Sequence, residues 1–228
     1  MSEAAGSRPE RRQSARGWRE RELGEELPGL SLFVTEALHT RKQALTGESP
    51  TEVRTRLHEL SNRFRGARAV GIRREPVPAA YRVFFRQIGL DPDVVRTPIE
   101  AVMMERMLRG GFATAGLLED ALLIALLDTG VPVWALDARW LDGELGIRVC
   151  AEGEPLGRSP AAPALPAGGL VVADASAPLA ILFGELAPGH EPGAGTDRVV
   201  LFAVQVEGVP SLYVEEALWT CSTTLERR

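Results

Sequence analysis

The spacing of the apolar residues changes near residue 130, and this change constrains the fold more than any other feature of the sequence. From about residue 49 to residue 130 the apolar residues recur every three or four positions, as on the buried face of a helix. From Val131 onward they form short runs separated by turn residues, which is typical of β-strands. Because a block of helices precedes a block of strands, the sequence predicts an α+β fold with N-terminal helices packed on a mostly antiparallel C-terminal sheet.

Local signals indicate where the helices begin and end. Ser49 and Glu52 can form a capping box at the start of one helix, with Pro50 at its beginning and Gly66 at its end. Thr97 begins another helix in the same way, because Glu100 follows it three positions later. The other helices are predicted between Pro76 and Gly89, over 117–127 before Gly130, and over 211–225.

The strand patterns surround one long loop. The strands are predicted at 30–34, 131–136, 145–150, 170–173, 179–183 and 199–206. The segment at about 153–169 carries four prolines and is predicted to be a loop insertion. Residues 1–24 contain six Arg and four Glu with almost no aliphatic side chains, a composition that predicts a disordered tail. Residues 25–228 are then expected to form a single domain.

Charge and missing motifs exclude several classes of function. The chain has 31 acidic and 26 basic residues, a net charge of −5, which argues against a general polyanion or DNA binder. It lacks an apolar run long enough for a membrane span or signal peptide, so a cytoplasmic protein without a membrane partner is expected. No phosphate-binding, dinucleotide-binding or zincin motif occurs, and neither the three histidines nor Cys150 and Cys221 predict a metal site. We therefore expect no cofactor.

The glycine-rich segment 183–195 is the best candidate for a functional site. Its Glu185 and His190 could supply acid–base and recognition groups, since glycine lets the backbone approach a ligand closely; a flexible surface hairpin is the alternative. Asp174 follows a strand and is expected to end it or to start a turn. Glu119, beside Asp120, lies in the first turn of an apolar helix, where the helix dipole stabilises a carboxylate.

A second candidate is the most cationic stretch of the chain, residues 63–74. Five arginines in these twelve positions could hold an RNA backbone through its phosphates. The alternative is a solvated helix end. The arginines are Arg63, Arg65, Arg68, Arg73 and Arg74.

Several segments together resemble a known family. Residues 81–92, YRVFFRQIGLDP, resemble the run Y-R-x-F-F-R-x-x-G-I-D-P of the B3/B4 domain of the bacterial phenylalanyl-tRNA synthetase beta subunit and its stand-alone relatives. Residues 97–101, 130–137, 170–174 and 196–201 resemble further segments of that domain, in the same order. The resemblance covers about residues 30–206 and implies a B3/B4-like fold.

The resemblance also implies an activity, because in the synthetase this domain hydrolyses tyrosine mischarged onto phenylalanine tRNA. The editing glutamate of the family ends a G-G-I-x-G-G-E run. A short gap in the register aligns Glu185 with it, whereas an ungapped register aligns Pro188. The family's N-P-L-V-D becomes Ala115–Glu119 here, without the Asn but with an acid at Glu119.

Two functions are therefore expected from the sequence. The first is a stand-alone editing factor that hydrolyses a mischarged aminoacyl-tRNA, with Glu185 catalytic and Glu119, Asp174 and His190 binding the substrate. The second is a non-catalytic module that binds a small amino-acid-like ligand, tRNA or a protein. An aminoacyl ester is already activated, so hydrolysis requires a positioned water rather than a strong protein nucleophile.

Overall fold

The computed structural model describes residues 14–38, 45–159 and 162–226, and these form an α+β fold as predicted. The first elements are β1 (Ala15–Arg16), β2 (Trp18–Arg19), α1 (Arg21–Glu26), β3 (Ser31–Leu38), α2 (Thr51–Arg63) and α3 (Ala67–Gly71). A 3-10 turn, Ile72–Arg74, leads to α4 (Pro76–Gln87), α5 (Pro98–Arg109) and α6 (Leu117–Thr129). The remaining elements are β4 (Val133–Asp137), β5 (Gly146–Val149), β6 (Leu170–Ala173), β7 (Pro178–Ile181), β8 (Arg198–Gln205) and α7 (Ser211–Glu226).

The described strands form two four-stranded sheets rather than the single predicted sheet. In the first sheet the order is β1-β3-β8-β4 and all pairs are antiparallel, with β8 paired along its whole length to β3. In the second sheet the order is β2-β5-β6-β7, and only the β2–β5 pair is parallel. The chain thus fits the prediction of mostly antiparallel pairing, but N-terminal strands contribute to both sheets.

The prediction of a disordered tail over residues 1–24 is wrong for its second half. Residues 15–19 form strands in both sheets, and Leu23 of α1 is buried in the main core. The indole of Trp18 lies against Gly146, where a Cβ atom would come within 2.0 Å of the ring. This segment is therefore part of the folded body, while residues 1–13 of the predicted tail lie outside the described residues.

Some helix ends follow the predicted signals and one does not. Thr97 and Glu100 form the predicted capping box, and α6 ends at Gly130, whose φ of 76° favours glycine. The predicted cap at Ser49 is absent: the helix begins at Thr51 with Pro50 at its N-cap position, and no side chain of the described residues caps it. The Ser49 hydroxyl instead makes a tertiary contact and donates to the buried carboxylate of Asp120 at 2.6 Å.

Helix α6 lies at the centre of the helical layer, as its apolar sequence predicts. It packs between α2 and α7, and α7 packs in turn on β3 and β8. Buried residues occur on every side of α6, whereas α2 buries one stripe. Tyr81 of α4 joins this layer to the first sheet, since its hydroxyl donates to the Val204 carbonyl at 2.8 Å.

The predicted loop insertion at 153–169 is folded against the second sheet over its described residues. Leu156 and Leu165 are buried there with Cys150, in a small core of their own. Backbone hydrogen bonds join Leu156 to Pro163 and Leu165 to Glu154, so the loop closes on itself. None of the described helices has the length and apolar character that a membrane crossing requires.

Candidate functional site

The guanidinium of Arg158 joins two of the predicted site residues, Asp174 and His190. Its Nη2 donates to the Asp174 carboxylate, and its Nη1 lies 2.9 Å from His190 Nε2. It also donates to the Trp140 carbonyl at 2.6 Å and to the Ser176 hydroxyl. Arg158 comes from the proline-rich loop, so this loop, the end of β6 and the segment before β8 meet at one polar cluster.

Asp174 is buried and fully engaged in hydrogen bonds, as expected of a residue that ends a strand. Its carboxylate accepts the backbone N–H groups of Asp142, Ser176 and Ala177 at 2.8 to 3.0 Å. Burial alone would raise the pKa of Asp174, but these hydrogen bonds and the Arg158 charge outweigh it, and the pKa lies below its ordinary value. The carboxylate therefore holds three chain segments together and has little capacity left for a substrate.

His190 is also buried, and both of its ring nitrogens have partners. Since the arginine can only donate, Nε2 accepts from Arg158 and Nδ1 carries the proton, which it donates to the Pro188 carbonyl at 3.2 Å. In addition, the His190 carbonyl accepts the Asp137 N–H at 2.9 Å. In this arrangement the imidazole positions the loop and is not free to act as a general base.

A second buried carboxylate, Asp137, lies at the end of β4 beside this cluster. Arg139 binds it in a bidentate manner, and the Thr196 hydroxyl donates to it at 2.6 Å. The Arg139 guanidinium and, secondarily, the Thr196 hydroxyl outweigh the effect of burial and lower the pKa of Asp137 to about 2. Asp137 thereby fixes the start of the strand that follows the glycine-rich loop.

This pKa predicts how stability changes in acid. A carboxyl group with a folded-state pKa near 2 and a usual pKa of 3.8 stabilises the fold above about pH 4, and loses that contribution as the pH falls through about 2. The wild type and Asp137→Asn differ in their free energy of unfolding, and this difference should shrink by about 2 kcal/mol between pH 5 and pH 2. Urea unfolding of both proteins across this pH range measures the difference. Asp197→Asn, at an exposed neighbour, serves as the control, and a constant difference for Asp137→Asn would contradict the prediction.

Glu185 lies on a hydrogen-bonded turn directly after β7. Its carbonyl accepts the Ile181 N–H at 2.9 Å, and Gly184 N–H donates to the Ile181 carbonyl at 2.8 Å. Between them, Phe183 has a φ of 60°, the only positive φ of a non-glycine residue in the described part of the chain. Such a backbone conformation costs of order 1–3 kcal/mol and persists only where the surroundings enforce it.

Aromatic side chains surround Phe183 and hold its backbone in this left-handed conformation. The Phe183 ring lies 5.3 to 5.7 Å from four other rings, measured between centroids, those of Tyr81, Phe84, Phe85 and Trp134. Two residues further on, the Glu185 side chain is exposed, and it has no hydrogen-bond or ion-pair partner among the described residues. The turn therefore presents an unpaired carboxylate on a fixed backbone.

Glu185, Asp174 and His190, all predicted to contact the substrate, do not form one site. After the turn the chain runs back beside β7, where the Ala187 N–H donates to the Leu179 carbonyl. Asp174 precedes β7 and Glu185 follows it, so the two residues lie at opposite ends of this strand. Strand β7 has four residues, which separates its ends by roughly 10 Å. Asp174 and His190 thus belong to the Arg158 cluster, and Glu185 stands apart from it.

Glu119 occupies a third place, at the first turn of α6. Its side chain is exposed and borders a cavity of about 260 Å³ between α5 and α6. The neighbouring Asp120 is buried and accepts from Ser49 and from the Ala115 N–H. The structural role expected for the acidic pair is therefore carried by Asp120, and Glu119 remains available to a ligand.

The arginine segment lies on the surface and has several local partners. Arg63 pairs with Asp128 at 3.2 Å, Arg65 donates to Asn62, and Arg68 lies over the Phe64 ring. The other two arginines, Arg73 and Arg74, are exposed on the 3-10 turn. This placement leaves open both predicted interpretations, an RNA contact and a solvated helix end.

Two arginines, Arg158 and the buried Arg106 of α5, were not predicted from the sequence. Neither has a local signal, since Arg158 lies in a proline-rich loop and Arg106 shares its helix with a second arginine, Arg109. No protein-family model matches this sequence, and no curated protein is significantly similar to it.

Proposed function

We propose that this protein is a B3/B4-like editing factor that hydrolyses the ester of a mischarged aminoacyl-tRNA. The observation that carries the proposal is that Glu185 is an exposed carboxylate without a partner among the described residues, on a turn held in a strained conformation. Strain of this kind clusters at functional sites. The aromatic residues that hold the turn include Tyr81, Phe84 and Phe85, which belong to the segment that most resembles the B3/B4 domain.

In this reaction Glu185 needs only to position a water molecule or a substrate hydroxyl. An aminoacyl ester reacts with water readily once the water is positioned, and a carboxylate can orient that water or bind a hydroxyl of the wrong amino acid. A fixed backbone reduces the entropy lost on binding. The exposed arginines of the 63–74 segment are the proposed contact for the tRNA phosphates, because local cationic groups can bind RNA even on a chain of net charge −5.

Replacing Glu185 tests this function directly. Glu185→Ala should lower kcat/KM for the preferred mischarged tRNA by roughly 100-fold, about 2.7 kcal/mol of transition-state stabilisation. The free energy of unfolding should change by less than about 0.5 kcal/mol, because the side chain is exposed and unpaired. The assay is deacylation of a panel of mischarged tRNAs, and Glu152→Ala, at another exposed loop carboxylate, is the matched control. Equal rates for the two variants would contradict the role of Glu185.

A non-catalytic binding module is the second candidate. It is favoured by the state of Asp174 and His190, whose hydrogen-bonding groups are occupied by the protein itself. In this case no mischarged tRNA is hydrolysed above the spontaneous rate. Calorimetry with tRNA and with free amino acids would then reveal binding alone.

A further inference from the structure

The side chain of Arg106 is a buried cation that has no counter-ion in the described part of the chain. The residue is 8% exposed, and its Nη2 donates to the Ser61 carbonyl at 2.7 Å. This is the only hydrogen bond it makes to the described residues, and none of their carboxylates forms an ion pair with it. Its Nε atom is fully buried and has no acceptor.

This arrangement is costly in a folded protein. A guanidinium has five N–H donors, and a buried charge is normally paired with an anion that also satisfies its hydrogen bonds. The Phe112 ring, 5.8 Å from the guanidinium carbon, offers a cation–π contact but no acceptor. Arg106 also lines the 260 Å³ cavity, so an anionic group bound there would lie beside the guanidinium and offset its charge.

The other charged residues of the cavity specify what that ligand is. Besides Arg106, the wall carries Arg109, Glu105, Glu119 and Asp120, so its formal charge is 2 − 3 = −1. Arg109 pairs with Glu105, and Asp120 is engaged by Ser49, which leaves Arg106 and Glu119 as one cation and one anion without ion-pair partners among the described residues. A simple anion would be repelled by the carboxylates, whereas a zwitterion can satisfy both charges.

We propose that the cavity between α5 and α6 binds a free α-amino acid, with its carboxylate on Arg106 and its ammonium group on Glu119. The apolar lining by Val102, Phe112 and Leu123 favours an aliphatic side chain. A volume near 260 Å³ lies just below the usual range for drug-sized ligands, about 300 Å³ upward, and suits a ligand of this size. The site lies apart from Glu185, which does not border this cavity, and it rests on the second candidate function, the binding of an amino-acid-like ligand.

The first experiment uses isothermal calorimetry on the full chain with leucine, isoleucine, valine and methionine. At least one should bind, while 4-methylpentanoate, which lacks the ammonium group of leucine, and 3-methylbutylamine, which lacks its carboxylate, should bind at least tenfold more weakly than leucine. Binding of none of the four amino acids would overturn the proposal. Binding of 4-methylpentanoate as tightly as leucine would also overturn it, because the cavity would then be a plain anion site.

The second experiment assigns the two charges. Arg106→Met and Glu119→Gln should each raise Kd for the best amino acid by tenfold to a hundredfold, as expected for the loss of a charged hydrogen bond. Arg86→Met, at an exposed helical arginine away from the cavity, should leave Kd unchanged. Glu119 is exposed, so its replacement keeps the test valid even where Arg106→Met fails to fold. Unchanged binding by Glu119→Gln would overturn the proposal.

Discussion

Replacing Asp174 by alanine should lower the free energy of unfolding by about 3 to 5 kcal/mol. The buried carboxylate accepts hydrogen bonds from three backbone N–H groups and from Arg158, and its loss leaves these donors without a partner. Each orphaned buried donor costs roughly 1–3 kcal/mol, reduced here where water can reach it. Urea unfolding monitored by circular dichroism measures the change. A loss of this size would identify Asp174 as a residue that positions the loops.

Asp142→Ala is the matched control for this measurement. Asp142 lies in the same cluster of turns, but only its backbone takes part: its N–H donates to Asp174 and its carbonyl accepts from the Ala175 N–H. Its exposed side chain can therefore be removed with a change of less than about 0.5 kcal/mol. If Asp174→Ala were as mild as the control, the carboxylate would be dispensable for folding. The sequence-based assignment of Asp174 to substrate binding would then regain support.

The sequence predicted what depends on near neighbours along the chain. The capping box at Thr97 and the glycine end of α6 at Gly130 form within one helical turn, and both were identified correctly. Strand β6 matches its predicted residues 170–173, because a short apolar run in an irregular segment has few alternatives. The strand predicted at 179–183 ends early, at Ile181, since Phe183 takes a left-handed backbone conformation to reach the aromatic cluster.

The candidate sites depend on contacts between distant residues, which no local pattern reveals. Arg158 meets Asp174 and His190 across 16 and 32 positions, and Ser49 meets Asp120 across 71. The sequence could name carboxylates and a histidine that suit catalysis. It could not show that Asp174 and His190 are hydrogen-bonded within the protein, while the carboxylates of Glu185 and Glu119 have no partner among residues 14–38, 45–159 and 162–226.

The same limitation explains the error at the N-terminus. The composition of residues 1–24 is too polar to form a core alone, and that reasoning holds for an isolated segment. Residues 15–19, however, pair with strands that are already partly buried: Gly17 N–H donates to the Leu32 carbonyl at 3.0 Å, and Trp18 N–H donates to the Leu145 carbonyl at 3.1 Å. The few apolar side chains of this segment, such as Leu23, are buried against residues from the rest of the chain.

Removing residues 1–24 should therefore destabilise the protein by about 4 kcal/mol relative to a chain that begins at Ser14. Burial of Leu23 contributes roughly 1.5–3 kcal/mol, and the half-buried Trp18 together with the uncovered edges of β3 and β5 supplies the rest. For a chain of this size, 4 kcal/mol corresponds to a Tm lower by roughly 8–16 °C. Because the two chains differ only in residues 14–24, thermal unfolding of both isolates the contribution of β1, β2 and α1. Equal Tm values would contradict this prediction and show that these elements rest on the sheets without stabilising them.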